Sequence, residues 1–421
     1  MPMILFSIIR FTKDFRKGFK RFFMINLDFM RKKYQEYQIN MRRYFHQNPE
    51  ISGKEFNTSK IIKEELDKIS VPWVSCGLET GILATIEGRK HSEGTDGSKN
   101  NVILLRADID ALPVHEATGF EWSSRYENVM HACGHDCHIS MLLTAAHILN
   151  ELKGEFSGTV KLAFQPAEEI DIGAKSMIDQ GAAEGVDACF AIHIWSDVEA
   201  GHISCQGGPI MASTDKFSID VKGKGGHGAS PQQCVDALVV SSAIVNNLQT
   251  IVSRNIAPVD AAVVTVGMLN CGTGWNIIAE NGHLEGTTRC FDMEVRERFP
   301  QLIERMATDT AKAFGAEATL NYTRFITPTV NDPDIALLVR NSSKKILGQD
   351  GPVFYKPTMA GEDFSFFLQK IPGALAFLGC RNESCGAIWP QHSGNYTVDE
   401  NVLIDGALLY AQVAMDFLEK Q

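Results

Sequence analysis

The chain has 421 residues, of which 44% are apolar and 22% charged, and its formal net charge is −11. This length exceeds the size at which one hydrophobic core usually stops growing, so we expect two domains. The acidic balance argues against a nucleic-acid partner, because phosphate binding depends on clustered lysine and arginine.

The first 34 residues differ from the rest, with nine lysines and arginines against two aspartates. The apolar run from Met3 to Ile9 is too short to span a bilayer, and basic residues follow it, whereas a secretory signal places them before. We therefore predict a poorly ordered basic extension over residues 1–34 and no membrane partner. The ten cysteines are mostly scattered through apolar segments, which is typical of reduced side chains in a cytoplasmic protein.

Helical periodicity runs from about Leu27 to Ile69, and short apolar segments then alternate with helical ones. Strands are predicted at 81–86, 102–108, 159–164 and 188–193, and helices at 140–152 and 173–180. This alternation predicts an α/β fold, with a mixed, mostly parallel sheet and helices on both faces. Ionisable residues stand at the strand ends, where such sheets bind ligands.

The alternation changes between residues 211 and 325. Strands are predicted there at 217–221, 261–269, 277–290 and 318–325, and helices at 235–252 and 295–314. This order resembles a split βαβ, ferredoxin-like α+β unit. We therefore predict an inserted domain at 211–325 within a catalytic domain made of residues 35–210 and 326–421. A strand at 374–378 and a helix at 402–418 complete the catalytic domain.

The densest group of reactive side chains is the segment His131-Ala132-Cys133-Gly134-His135-Asp136-Cys137-His138. Thiolate and imidazole are ligands of zinc and related metals, and a loop after a strand can direct two of them inward. A polar loop that caps a helix is one alternative, and a cysteine nucleophile with a histidine base is another. Three histidines and two cysteines within eight residues favour the metal site.

Two adjacent carboxylates, Glu168 and Glu169, follow the strand predicted at 159–164. Adjacent side chains after a strand diverge, so one can bind a metal while the other faces the substrate as general base. His193 and Asp110 also stand at strand ends. The structural alternative for His193 is a histidine whose hydrogen bonds are satisfied within the core. The structural alternative for Asp110 is a residue in a turn.

Five segments resemble the aminoacylase/carboxypeptidase metallohydrolases, in the branch of hippurate hydrolase, bacterial N-acyl-amino acid amidohydrolases and plant auxin-conjugate hydrolases. These segments are Arg106–Pro113, His131–His138, Phe164–Glu169, Gly225–Pro231 and Met359–Phe364. The resemblance extends from about residue 36 to 420. It implies a di-metal exopeptidase-like catalytic domain and an inserted domain that serves as lid and dimerisation domain.

The resemblance also implies roles for single residues. Two divalent metals, manganese or zinc with cobalt or nickel as alternatives, would be held by Cys133, His135, Glu169, His193 and His392. Glu168 would be the general base, Asp110 would support the metal site, and His227 would stabilise the oxyanion in the partner subunit. Asn276 and Arg289 would hold the substrate, although Arg289 could equally be an exposed strand residue.

We therefore expect a homodimeric metal-dependent amidohydrolase that cleaves N-acyl-L-amino acids or amino-acid conjugates into a free amino acid and a carboxylic acid. A dipeptidase or carboxypeptidase of the same fold is the first alternative. It requires an acidic or polar pocket for a free amino group, whereas an acyl group requires apolar walls, for which Trp195, Trp275, Phe325 and Trp389 are candidates. A non-catalytic binding protein is the second alternative.

Overall fold

The computed structural model describes residues 26–90 and 101–419. The first part of the chain contains α1 (Leu27–Gln47), α2 (Phe56–Lys68), β1 (Trp73–Ser75), β2 (Ile82–Glu87), β3 (Val102–Asp108), α3 (His135–Glu151), β4 (Thr159–Gln165), α4 (Gly173–Asp179), β5 (Ala188–Glu199), β6 (Ile203–Ser204) and β7 (Gly208–Met211). The middle part contains β8 (Thr214–Lys222), β9 (Gly226–His227), α5 (Ala237–Thr250), β10 (Ala262–Cys271), β11 (Ile277–Ile278), β12 (Asn281–Cys290), α6 (Met293–Ala313) and β13 (Glu317–Ile326). The last part contains β14 (Thr329–Asn331), α7 (Pro333–Leu347), α8 (Ser365–Leu368), β15 (Gly373–Arg381) and α9 (Leu403–Leu418).

A seven-stranded sheet organises the first and last parts, which together form the larger unit. The strand order is β1-β2-β4-β3-β5-β15-β6, with β4, β3, β5 and β15 parallel and antiparallel pairs at both edges. Ile103 and Leu105 of β3 join an apolar cluster on one face, while Leu104 joins a cluster on the other. A strand buried on both faces reads as a continuous apolar run. The predicted α/β fold with a mixed, mostly parallel sheet is confirmed.

Helices cover both faces of this sheet. α1, α3, α7 and α9 pack together on one face, and α4 and α8 pack on the other. α9 belongs to a helical stretch, residues 400–418, that is apolar and long enough to cross a membrane by composition, but 83% of the apolar window is buried. It packs against α3, α7 and β3, so its apolar character reflects a place in the core.

α1 begins before the predicted end of the basic extension. Asn26 caps it by accepting a hydrogen bond from the Phe29 amide, and Met30 and Tyr34 are buried against the core. The prediction of poor order is therefore wrong for residues 27–34, because their apolar side chains at helical spacing pack on the larger unit. Residues 1–25 lie outside the described part of the chain.

Residues 214–326 form an inserted unit with its own sheet and core. Its four strands are antiparallel in the order β10-β12-β8-β13, the ferredoxin-like order, and α5 and α6 pack on one face. The strand predicted at 277–290 is two strands: β11 pairs with β9 in a separate ladder, and β12 joins the sheet. The chain changes partner between them, where the Ala279 and Glu280 carbonyls accept from the amides of Ala237 and Gly223.

The inserted unit joins the larger one through two neighbouring segments. β7 leads into it and β14 leads out, and the two strands pair antiparallel with Met211 opposite Thr329. The chain therefore leaves and re-enters the larger unit at almost the same place.

Candidate metal centre

The side chains predicted to bind metal converge beyond the carboxyl ends of the parallel strands, as expected for an open sheet. His193 itself lies within β5, which continues to Glu199, so the predicted strand end at residue 193 is wrong. Four of the predicted ligands, all except His135, line a cleft of about 350 Å³ with walls from both units. From the larger unit the lining residues include Cys133, Glu168, Glu169, Asp171, His193 and His392. From the inserted unit they include Thr214, Arg289 and Ile326.

Two groups of potential ligand atoms share Cys133. In the first, Cys133 Sγ lies 3.5 Å from His193 Nε2, and His135 is the third member. In the second, Glu169 Oε1 lies 3.6 Å from His392 Nε2. Glu169 Oε1 also lies 3.8 Å from His135 Nε2, which connects the two groups. Within each group the ligand atoms lie within 4.8 Å of one another, compatible with metal–ligand bonds of about 2.0–2.3 Å.

Hydrogen bonds orient the two most buried histidines. His135 Nδ1 lies 2.9 Å from the main-chain oxygen of Asp110 and 3.2 Å from its carboxylate, and His193 Nδ1 donates to the Ile194 carbonyl at 2.7 Å. These bonds turn each Nε2 toward the other ligand atoms, as is usual for metal-binding histidine. His135 Nε2 and Glu169 Oε1 are buried without a hydrogen-bond partner among the described residues. Such orphaned atoms are rare, and a cation fits both.

The charge around these atoms also fits a cation. Burial alone would lower the pKa of His135, but Asp108, Asp110 and Glu169 raise it to about 10. Burial raises the pKa of Glu169 to about 7, and burial with neighbouring carboxylates raises the pKa of the Cys133 thiol well above its usual range. A divalent cation would take the place of the protons that these groups otherwise hold. Without one, Cys133 lacks the lowered pKa of a nucleophilic cysteine.

His138 and Asp108 lie beside the centre but have other partners. His138 Nδ1 donates to Asp108 Oδ1 at 2.5 Å, and its Nε2 accepts from the Ile194 amide at 2.8 Å. The second oxygen of Asp108 accepts from Arg106 at 2.7 Å. Since both ring nitrogens are engaged, His138 has none left for a metal, and the geometry favours His135 over it.

Glu168 and Glu169 stand on a tightly held loop after β4. Ala167 has a left-handed φ of 53°, and its amide donates to Glu55 Oε1 at 2.9 Å. The Glu169 amide donates to Asp110 Oδ2 at 3.0 Å. Burial and neighbouring carboxylates raise the pKa of Glu168, which is 8% exposed, well above its usual range. A carboxyl group in this environment is suited to accept and return a proton.

A buried charge cluster behind Glu168 was not assigned from the sequence. Arg106 donates to Gln165 at 2.8 Å, and to Glu362 and Asp363 at 2.9 Å each. No spacing pattern connects Arg106 with a glutamate 256 positions later. The available signal was an arginine inside an otherwise apolar strand, since buried arginine requires carboxylate partners.

Arg289 of β12 lines the wall contributed by the inserted unit. It donates to Thr214 Oγ1 and, at 3.4 Å, to the Met359 carbonyl. Asp171, on the loop after Glu169, lines the same cleft and interacts electrostatically with Arg289. Arg289 is therefore a cleft residue and not an exposed strand residue.

His227 and Asn276 lie outside this cleft. His227 is paired opposite Ile277 in the small β9–β11 ladder, and the Asn276 carbonyl accepts from the Gly228 amide at 2.9 Å. Both His227 and Asn276 are exposed. Within one chain, His227 and Asn276 therefore do not line the cleft that contains the predicted metal ligands.

Comparisons with known proteins agree with this geometry. The model of a family described as Peptidase family M20/M25/M40 matches residues 104–416. Thermostable carboxypeptidase 2 of Saccharolobus solfataricus is 40% identical over 394 residues, 92% of this chain and 97% of the relative. N-acetyl-L-cysteine deacetylase of Bacillus subtilis is 38% identical over 381 residues, 90% of this chain and 88% of the relative. The solved structure of the Bacillus subtilis YXEP protein, a dinuclear metal binding peptidase from M20 family, has a TM-score of 0.80 at 32% identity and covers 93% of this chain and 100% of that chain.

Proposed function

Because this chain belongs to peptidase family M20/M25/M40, as its sequence segments predicted, we propose that it is a di-metal amidohydrolase that releases an L-amino acid from an N-acyl-amino acid. The observation that carries the proposal is one cleft lined by members of both groups of ligand residues together with Glu168 and Arg289. A metal site, a proton carrier and a cation for a free carboxylate are the three requirements of this reaction.

We assign two divalent cations to the predicted ligands Cys133, His135, Glu169, His193 and His392. Manganese or zinc is proposed, with cobalt or nickel as alternatives, because thiolate, imidazole and carboxylate ligands accept each of them. When bound, such cations lower the pKa of a water molecule and polarise a carbonyl group.

The residues of the chain then have distinct roles. Glu168 takes the proton from the attacking water and delivers it to the amide nitrogen, so that the C–N bond breaks with a neutral amine leaving. Arg289 pairs its planar guanidinium with the substrate carboxylate. Asp110 holds both the His135 ring and the Glu169 amide. His227 of a second subunit donates to the developing oxyanion, and Asn276 accompanies it in holding the substrate.

A carboxypeptidase or dipeptidase remains the second candidate, since the 40% identical relative is named a carboxypeptidase. Both reactions cleave an amide bond beside a free carboxylate, so Arg289 serves either one. They differ in the group on the acyl side of the scissile bond.

We further propose a homodimer formed through residues 211–325. We also propose a cytoplasmic location, which the ten free cysteines support.

The test is release of free amino acid from N-acetyl, benzoyl and indoleacetyl amino acids and from dipeptides. The protein would be stripped of metal and reloaded with manganese or zinc, and Glu168→Ala would be assayed in parallel. We expect metal-dependent release, reduced about 10²–10⁴-fold in the variant without loss of bound metal. Full activity of Glu168→Ala would contradict the role of Glu168, and no release from any substrate would contradict the proposed function.

A further inference from the structure

Asp171 lines the catalytic cleft with a carboxylate that has no direct partner. Among the described residues, this carboxylate makes no hydrogen bond and no ion pair within contact distance. Its side chain is only partly exposed. A partly buried carboxylate without a hydrogen bond or contact ion pair is incompletely satisfied, so a group that binds beside it should donate hydrogen bonds or carry the opposite charge.

The backbone fixes the position of this carboxylate. Asp171 has a φ of 64°, in the left-handed region that aspartate tolerates better than most residues. Its amide donates to the Glu168 carbonyl at 2.9 Å, and the amide of Gly173 donates to the Ala167 carbonyl at 3.2 Å. Asp171 is therefore held on the same turn as the proposed general base.

Arg289 lines the same cleft as Asp171, and the two side chains attract each other electrostatically. The guanidinium nevertheless donates to Thr214 and to the Met359 carbonyl, and not to Asp171. Under the proposed function Arg289 pairs with the substrate carboxylate. The Asp171 carboxylate then lies in the substrate cleft while Arg289 is engaged elsewhere.

We propose that Asp171 is a specificity residue that selects zwitterionic substrates: it binds an ammonium or guanidinium of the substrate while Arg289 binds the carboxylate. This inference rests on the proposed function and names the substrate class of the same cleft. The cation can belong to the side chain of a basic amino acid at the released end. It can also be the free amino terminus of a dipeptide.

Two matched pairs of ligands separate these sources. Nα-acetyl-L-lysine and N-acetyl-L-norleucine differ by a side-chain ammonium, and glycyl-L-leucine and N-acetyl-L-leucine differ by an amino-terminal ammonium. Dissociation constants would be measured by calorimetry on metal-loaded Glu168→Gln protein, so that binding is read without turnover. Values of kcat/KM would be measured for the same compounds on protein with Glu168 intact.

Asp171→Asn is the informative variant, because asparagine keeps the size of the side chain and also tolerates a left-handed φ. Asp179→Asn is its control, because Asp179 is exposed, lies outside the cleft and carries the same charge. In at least one pair we expect the ammonium-bearing ligand to bind about tenfold more tightly, as a charge-assisted hydrogen bond allows. Asp171→Asn should abolish that preference and Asp179→Asn should retain it.

The outcomes separate this inference from the proposed function. An absent preference in both pairs, or one that survives Asp171→Asn, overturns the role of Asp171 even if every compound is hydrolysed. An ammonium preference that requires Asp171 supports the inference even if no compound is hydrolysed, in which case the proposed function is the part that fails.

Discussion

Glu55 is a single residue that holds the backbone beside the proposed general base. Its Oε1 accepts from the amides of Gly53 at 2.7 Å and Ala167 at 2.9 Å, and its Oε2 accepts from Thr80 Oγ1 at 2.7 Å. Because Ala167 has a left-handed φ, the backbone before Glu168 requires such support. Glu55 does not line the cleft, so its role is that of a positioning residue.

We expect Glu55→Gln to lower kcat about tenfold, or about 1.4 kcal/mol in activation free energy, with a smaller change in KM. The amide keeps the size of the side chain but removes its negative charge, so the bonds from the amides of Gly53 and Ala167 lose their charge assistance. Steady-state kinetics with measured metal content would test this expectation. Glu50→Gln is the control, because Glu50 accepts from the amides of Asn57 and Thr58 at the start of α2 and not from the loop. Equal losses of kcat in both variants would show that Glu55 contributes only stability.

The site residues differ in how far the sequence could predict them. Cys133 and His135 lie in a dense segment, and Glu169 follows a predicted strand, so local patterns indicated them. His392 is a lone histidine on an irregular segment, placed by a φ of 66° and by its amide, which donates to the Ala132 carbonyl at 2.7 Å. Contacts between segments so distant in the chain have no local pattern, and only the family resemblance pointed to His392.

At the scale of elements, the start of α3 determines where His135 lies. The sequence predicted a helix from residue 140, because apolar periodicity becomes clear there. The helix begins at His135, and its polar first turn is buried. Gly134 makes this start possible: its φ is 96°, and a Cβ atom on it would lie 2.4 Å from Ile194 Cγ2.

We expect Gly134→Ala to lower both the Tm and the affinity for metal. A left-handed alanine costs about 1–2 kcal/mol, and the clash with Ile194 adds to it and displaces the first turn of α3. Thermal unfolding and metal titration would measure the two effects. Gly119→Ala is the control, because Gly119 has a φ of 70° and nothing within 4 Å of the added Cβ. Metal affinity unchanged in Gly134→Ala would contradict this role for the start of α3.

Elements that depend on local sequence were predicted more accurately than elements that depend on contacts between distant segments. The strands β3 and β4 are short, mostly apolar segments, and their predicted bounds match to within one residue. The ladder of β9 and β11 was not predicted, because it depends on pairing His227 with Ile277 across α5 and β10. α7 was not predicted either, although Asp332 and Pro333 at its start are ordinary helix signals.

At the scale of the whole molecule, the position of His227 bears on the proposed dimer. It is exposed on the inserted unit and does not line the cleft of its own chain. If it acts in a second subunit, Glu168→Ala and His227→Ala should each be nearly inactive alone. Each mixed dimer of the two variants should have about half of the wild-type activity, because one of its two sites is intact, and a fully exchanged equimolar mixture should therefore regain about a quarter. Subunit exchange followed by an activity assay would test this, and no recovery in verified mixed dimers would contradict it.

The neighbouring entry and exit of the inserted unit also affect how the chain folds. β15 pairs in parallel with β5, with Ala374 opposite Phe190, yet the whole inserted unit lies between them in the sequence. During synthesis β5 therefore exposes an unpaired apolar edge, the kind of surface that aggregates. Once the inserted unit has folded on its own core, β7 and β14 hold its two ends together, which reduces the loop-closure entropy that β15 must overcome. We therefore expect early folding of the insertion to shorten the time for which the edge of β5 stays unpaired.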